Sequence, residues 1–245
     1  MLNNQTHQYL SSLGLNGMLR ALELQQAQPE SQRLSFEERL GILIDAEVSD
    51  RESRRIERFK RAAKLRQGRA CLEDIDYHPS RKLDSSLIAS LSNCDWIERH
   101  QNLILTGATG TGKSWMACAF GHQACRRNFS TYYTTATQLF EDLGRAQIDG
   151  SLPKLRRMLV RTQLLILDDL GIGGVDNNLG PILLDIIDQQ SLKGALLITS
   201  QYPIKKWYDL FNDPTIADAI LDRIVHQSHI IQLQGESLRK TRKRS

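Results

Sequence analysis

Gly107-Ala-Thr-Gly110-Thr-Gly112-Lys113-Ser114 matches the pattern GxxxxGK followed by Ser or Thr at every position. Its surroundings give the match weight. The apolar run Asn102-Leu-Ile-Leu-Thr106 leads in and Trp115-Met-Ala-Cys-Ala-Phe120 leads out. Strand, glycine-rich loop and helix thus follow in the order a phosphate-binding loop requires. Glycines let the backbone turn so that several N–H groups face one anion. The start of the helix adds its positive end. Lys113 offers an ammonium to the β- and γ-phosphates, and the Ser114 hydroxyl reaches Mg2+. The expected nucleotide contacts are Gly107, Ala108, Thr109, Gly110, Thr111, Gly112, Lys113, Ser114 and Trp115, with ATP and Mg2+ as cofactors. The alternative, a Gly/Thr-rich turn matching by chance, is opposed by the flanking strand and helix.

Further on, Leu164-Leu-Ile-Leu167-Asp168-Asp169 is a four-residue apolar run ending in two carboxylates. That composition suits a buried strand whose C-terminal end faces a ligand site. Asp168 is expected to hold Mg2+ through water. Asp169 is expected to point to the other face and to deprotonate an attacking water. A tandem pair of this kind separates ATP hydrolases from small-molecule kinases, which need no water-activating base. The bland alternative is a solvated acidic turn, since Gly171 and Gly173-Gly174 follow. Residues 115–163 have room for a helix, a strand and a helix, so an extra strand separates the two motifs in chain order. This predicts the additional-strand class of P-loop ATPase.

The rest of the second half repeats the alternation. Strands are expected at Asn102–Thr106, Ser130–Thr134, Leu164–Asp168, Ala195–Ser200 and His229–Leu233, and helices at 113–127, 137–145, 153–161, 179–190 and 215–226. Alternating strands and helices predict an α/β fold, a parallel sheet with helices on both faces. The unbroken apolar runs LLIL and ALLIT fit burial on both faces. Residues 1–66 read as all-helical, with Gly14 and Gly17 as breaks and Ser35-Phe-Glu-Glu38 as a capping box opening a long helix. The expected organisation is a helical region at 1–66, a linker at 67–79, an ATPase core at 80–235 and a basic tail at 236–245.

Two further positions invite a role. Thr199 and Gln201 end the strand Ala195-Leu-Leu-Ile-Thr199-Ser200-Gln201, where a polar side chain would sense the γ-phosphate or its water; a plain exit from the core before Pro203 explains them as well. Arg223 lies on an amphipathic helix whose Ile216, Ile220, Ile224 and Val225 face inward, so it is expected to lean outward. There it is either a finger for a neighbouring subunit or a solvated or salt-bridged arginine.

Charge is unevenly distributed. The formal net charge of +4 combines +7 in residues 51–69 and +5 in the last seven residues with an acidic remainder. Dense basic blocks point to polyanionic partners. Arg54, Arg55, Arg58, Arg61 and Lys64 are the expected DNA contacts, because Arg54, Arg58 and Arg61 share a helical face that Arg55 borders. Docking of a protein partner, with the charges as a solvated face, is the alternative. No apolar run approaches a membrane span, and the N-terminus has no signal core. The four cysteines lack paired spacing, which predicts reduced thiols and a cytoplasmic setting.

Together GATGTGKS, LLILDDLG, LLITSQ, ILDRIVHQSHII, the N-terminal FEERL and the ending after QLQGESLRK resemble the IstB family, the ATP-binding helpers of insertion-sequence transposons. Its relatives are the helicase loader DnaC and the initiator DnaA, all AAA+ proteins. The resemblance implies an AAA+ ATPase that binds duplex DNA as a homo-oligomer and works with the transposase of its element, in target selection or transposase activation. It assigns Lys113 and Ser114 to nucleotide and metal, Asp168 and Asp169 to Mg2+ and water, and Arg223 to a finger acting in trans. The sequence departs from the pattern twice. Gln201 stands where Asn is frequent, and there is no room for the usual C-terminal helical lid, so Arg239 of the tail stands in for a second sensor arginine only if the tail orders. A replicative helicase loader of the DnaC type is the rival on the same fold, a small-molecule kinase the rival chemistry, and a scaffold holding ATP without hydrolysis the non-enzymatic rival.

Overall fold

All five segments read as strands form one sheet in the computed structural model, which describes residues 2–171 and 178–238. The strands are β1 (Asn102–Gly107), β2 (Thr131–Thr135), β3 (Leu164–Asp168), β4 (Ala195–Ser200) and β5 (Ser228–Leu233). Their order is β2-β3-β4-β1-β5, and every pairing is parallel. The helices among the described residues are α1 (Leu2–Ser12), α2 (Asn16–Ala27), α3 (Phe36–Ala63), α4 (Ser85–Leu91), α5 (Asp95–Glu98), α6 (Lys113–Arg126), α7 (Ala136–Asp149), α8 (Leu152–Val160), α9 (Gly180–Ser191) and α10 (Pro214–Val225).

The period of two along a strand explains why the central runs are apolar without a break. Leu103, Leu105, Leu164, Ile166 and Leu197 join the core on one face, with Met116, Ala117 and Phe120 of α6. Ile104, Leu165, Leu167, Leu196 and Ile198 join the core on the other, with helices α7, α9 and α10. Burying each such side chain contributes roughly 1.5–3 kcal/mol. Asn102 stitches sheet to helix at the start of β1. Its Nδ2 donates to the carbonyls of Arg223 (3.1 Å) and Ile224 (3.0 Å), and its Oδ1 accepts from the Leu196 N–H (2.9 Å). The end of α10, which carries Arg223, is therefore fixed to β1.

The chain divides into two compact units, Met1–Arg58 and Phe59–Ser245. In the first, Gly14 (φ 72°) makes the turn between α1 and α2. Gly17 is not the second break expected from sequence. It lies inside α2, where a Cβ would stand 2.5 Å from the Ala46 carbonyl oxygen and 2.6 Å from Glu47 Cα, so glycine is required by the close approach of α3. Glu47, 6% exposed, accepts from the Gly17 (2.8 Å) and Met18 (3.3 Å) N–H groups and from Arg51 Nε (2.7 Å). A carboxylate at the positive end of a helix is favoured, and these donors, Arg51 first, hold Glu47 below the usual carboxylate range. The capping box forms: the Ser35 N–H donates to Glu38 Oε2 (2.8 Å) and the Glu38 N–H to Ser35 Oγ (3.2 Å).

In the second unit, the stretch expected to be a linker is packed structure. Ala70, Leu72 and Ile75 enter the core beside α6, because apolar side chains interrupt its polar run every two or three residues. Cys94, Cys118 and Cys125 are buried, and burial pushes the Cys94 thiol up to about 12, so they serve as neutral filler. No helix among the described residues is long and apolar enough to cross a membrane. Gly173, Gly174, Arg239 and the basic tail from 239 onward lie outside the described residues.

Candidate nucleotide site

Parallel strands bring their C-terminal ends to one edge, where ligands of open α/β sheets bind. Gly107, Thr135, Asp168, Ser200 and Leu233 end the five strands there. The sequence placed an extra strand between the two motifs, and in chain order that strand is β2. In space the intervening strand is β4, which pairs with both β1 and β3, while β2 lies beyond β3.

The loop from Gly107 to Gly112 joins β1 to α6 and contains three glycines at positive φ: 149° at Gly107, 88° at Gly110 and 95° at Gly112. Gly112 is the N-cap of α6, and Lys113 is its first residue. Lys113, 5% exposed, folds its ammonium over the loop and donates to the carbonyls of Gly107 (2.8 Å) and Ala108 (3.0 Å). Thr111 Oγ1 closes the loop onto the Ala108 carbonyl at 2.8 Å. Ser114 and Trp115, both half-buried, occupy the first turn, and Trp115 packs against the core. Main-chain N–H groups, a helix start of 14 residues, an ammonium and a hydroxyl make a donor set that fits a polyphosphate.

Asp168 is fully buried, and both its oxygens are engaged. Tyr133 Oη donates to Oδ2 and Thr199 Oγ1 to Oδ1, each at 2.6 Å. A carboxylate offers about four acceptor positions, so acceptor capacity remains for the water shell of a hard cation such as Mg2+. Burial and the Asp168 carboxylate together push the Tyr133 hydroxyl well above the usual tyrosine range, keeping it a donor. Thr199 is likewise fully buried; it accepts from the Asp169 N–H at 2.9 Å while donating to Asp168. The strand end read as a phosphate sensor thus braces the acidic pair through Thr199. Gln201 turns to the loop, where its Oε1 accepts from Thr109 Oγ1 at 3.0 Å. Asp169 does not alternate along the strand as expected: β3 ends at Asp168, and Asp169 sits in the left-handed region at φ 58°.

Sequence reasoning missed Tyr133, although the period-two pattern contains the signal. Leu164, Ile166 and Asp168 share one strand face, as do Ala195, Leu197 and Thr199. Tyr133 lies in the same core cluster as Leu164, Ile166 and Leu197, on the α6 side.

Arg223 is not simply outward. Its Nε donates to Asp188 Oδ1 of α9 at 2.5 Å and its Nη1 to the Ala219 carbonyl at 2.9 Å, so the guanidinium is ion-paired within the chain. In the first unit, Arg54, Arg55 and Arg58 join Arg51 and Gly14 around a concave surface. Arg54 is shared with acidic neighbours there, at 2.7 Å from Asp50 and 3.5 Å from Glu47. Arg61 is exposed on the last turns of α3. Lys64 ends that helix at φ 54° and stands 5.4 Å from the centre of the Tyr132 ring, a cation–π distance.

Residues 8–245 match the family described as IstB-like ATP binding protein. A Sinorhizobium fredii protein named as an insertion sequence ATP-binding protein is 43% identical over 244 residues, covering 100% of this chain and 99% of the relative. A Pseudomonas fluorescens protein named as an ATP-binding protein of the insertion sequence IS1162 is 45% identical over 203 residues, covering 83% of this chain and 88% of the relative. Among solved structures, the DnaC helicase loader is similar in fold, with a TM-score of 0.53 at 19% identity over 67% of this chain and 97% of that one.

Proposed function

The chain belongs to the IstB-like family of ATP-binding proteins, and on that premise we propose that it is an AAA+ ATPase that hydrolyses ATP between neighbouring copies, assembles on duplex DNA according to its nucleotide, and assists the transposase of the same element. The observation that carries this reading is the alignment of Lys113, at the loop after β1, with Asp168 and Asp169, at the end of β3, on one edge of a sheet in which β4 stands between. The names of the relatives support a transposase as partner. Assistance takes the form of target selection or transposase activation, in the cytoplasm.

Bound at this edge, MgATP supplies a phosphoric anhydride whose γ-phosphoryl group passes to water. The loop N–H groups and the Lys113 ammonium hold the β- and γ-phosphates. Ser114 and Asp168 hold Mg2+, and Tyr133 and Thr199 fix the Asp168 carboxylate. Asp169 takes the proton of the attacking water, with its backbone anchored on Thr199. Arg223 of a neighbouring copy neutralises charge as the bond breaks, which requires it to leave Asp188. A finger of this kind is worth roughly 10³–10⁵ in rate.

Binding and turnover measured side by side test the division of roles. Lys113→Ala loses ATP binding, whereas Asp169→Asn retains ATP and hydrolyses it slowly. Arg223→Ala mixed with Lys113→Ala recovers activity, because one supplies the finger and the other the loop. Equal loss of binding in Lys113→Ala and Asp169→Asn refutes the roles. No recovery at any mixing ratio, with co-assembly verified, refutes the finger.

A further inference from the structure

Arg81 ends a single 3-10 turn, Pro79–Arg81, ahead of α4, and is 9% exposed. Nothing in the motif pattern points to it. Its Nη1 donates to the Asp76 carbonyl (3.1 Å) and its Nη2 to the carbonyl of Thr111, inside the phosphate loop (3.0 Å). Among the described residues no carboxylate pairs with it; both acceptors are backbone carbonyls. An arginine keeps its charge at any working pH, and a buried cation without an anion is costly. The loop that binds polyphosphate is where this charge finds its counterpart.

The peptide geometry gives the contact a direction. The carbonyl of Thr111 and the N–H of Gly112 belong to one trans peptide and point opposite ways. By holding the Thr111 oxygen on one side, Arg81 turns the Gly112 N–H to the other. The carbonyl of the neighbouring peptide is held as well, because the Leu238 N–H donates to the Gly110 oxygen at 2.9 Å, while the Thr111 N–H of that peptide turns back to the Ala108 carbonyl at 3.4 Å. The glycines of the loop meet the same group of residues. A Cβ at Gly110 would overlap Ser237 Oγ, and one at Gly112 would stand 3.2 Å from Leu238 Cδ1 and 3.3 Å from Arg81 Nη2. Chain from before β1 and chain from after β5 therefore close on the loop together.

We propose that Arg81 and the Leu238 backbone form an outer clamp that presets the phosphate loop, making Arg81 a positioning residue for nucleotide binding. The clamp holds the Gly110 and Thr111 carbonyls outward, which turns the Gly112 N–H toward the polyphosphate, and Arg81 adds a fixed positive charge behind it. This rests on the loop being the nucleotide site, and the experiment separates the two ideas.

Affinities for MgATP and MgADP are measured with a fluorescent analogue on the full chain, beside the melting temperature without nucleotide. Arg81→Ala weakens both nucleotides about tenfold, equivalent to about 1.4 kcal/mol. Arg81→Lys, which keeps the charge but not the two-armed guanidinium, recovers part of the loss. Millimolar methylguanidinium restores Arg81→Ala and leaves the wild type unchanged, which a purely structural role does not explain. Leu238→Pro, lacking the N–H, weakens binding several-fold, and Leu238→Ala does not. If Lys113→Ala loses binding while Arg81→Ala stays within about twofold of the wild type, the clamp is wrong. If Lys113→Ala itself binds normally, the nucleotide assignment is wrong. Should Arg81→Ala fail to fold, the Leu238 pair decides: equal affinities overturn the clamp.

Discussion

Thr199→Val tests the bracing of the acidic pair. The substitution keeps shape and removes one hydroxyl from a side chain with 0% exposure. Two bonds disappear: the 2.6 Å donation to Asp168 and the 2.9 Å acceptance from the Asp169 N–H. The first is a bond to a charge, worth about 1.5–3 kcal/mol, and the second leaves a partly buried donor without an acceptor, at about 1–3 kcal/mol. The two together come to about 2.5–6 kcal/mol. At about 2–4 °C per kcal/mol for a unit of this size, thermal unfolding of the second unit falls by roughly 10 °C. Tyr133→Phe removes only the donation to Asp168 Oδ2 and costs less. Combined, the two substitutions exceed their sum by about 1 kcal/mol or more, because they hold the same carboxylate. Differential scanning calorimetry of the four proteins measures this directly. A Thr199→Val melt within about 2 °C of the wild type, or strict additivity, refutes the brace.

Glu47 contributes to the pH dependence of the first unit, as does Glu38, whose carboxylate is likewise held low by Ser35. The folded pKa of Glu47 is depressed, so its contribution is complete above the ordinary glutamate value of about 4.3 and is lost as pH falls through the lower folded value. Glu47→Gln is therefore less stable than the wild type at pH near 7, and their melts converge as pH falls through the depressed folded value; a gap that stays constant with pH contradicts the assignment. For DNA, the Arg54/Arg55/Arg58 triple alanine variant binds unrelated duplexes more weakly and alike, and its log–log salt slope flattens by about 0.9 for each phosphate no longer neutralised. An unchanged slope and affinity move the DNA surface to the second unit or the tail.

The strands β1, β3 and β4 were legible because their apolar runs are buried on both faces, and β1 and β3 end in a punctuating glycine, Gly107, and a carboxylate, Asp168. LLIL and ALLIT leave no helical stripe to mistake them for. The loop was legible because its chemistry is local: eight consecutive residues carry it. What was not legible depends on contacts across the chain. Gly17 reads as a breaker until α3 is seen against it. Arg81 touches Thr111 thirty residues on, and Asn102 reaches Arg223 across 121 residues. The 67–79 stretch reads as a linker because Gly68 and Pro79 punctuate it and Leu72 and Ile75 are spaced too widely to form a run, yet both are buried. Strand parity carried usable information about Thr199 and Asp168, since both fall on the face that packs α6. Arg223 and Arg54 show the limit of charge counting: each has a carboxylate partner within the chain that spacing alone does not disclose.

Under the proposed function, nucleotide at the Lys113 loop governs assembly on DNA. Mass photometry of the chain on a long duplex, with MgATP, with MgADP and without nucleotide, measures it for the wild type and for folded Lys113→Ala. Multi-subunit complexes on DNA are expected for the wild type with MgATP, and none for Lys113→Ala on its own in any of the three nucleotide conditions. Complexes of the same size with and without nucleotide, or a Lys113→Ala protein that assembles like the wild type, would contradict it.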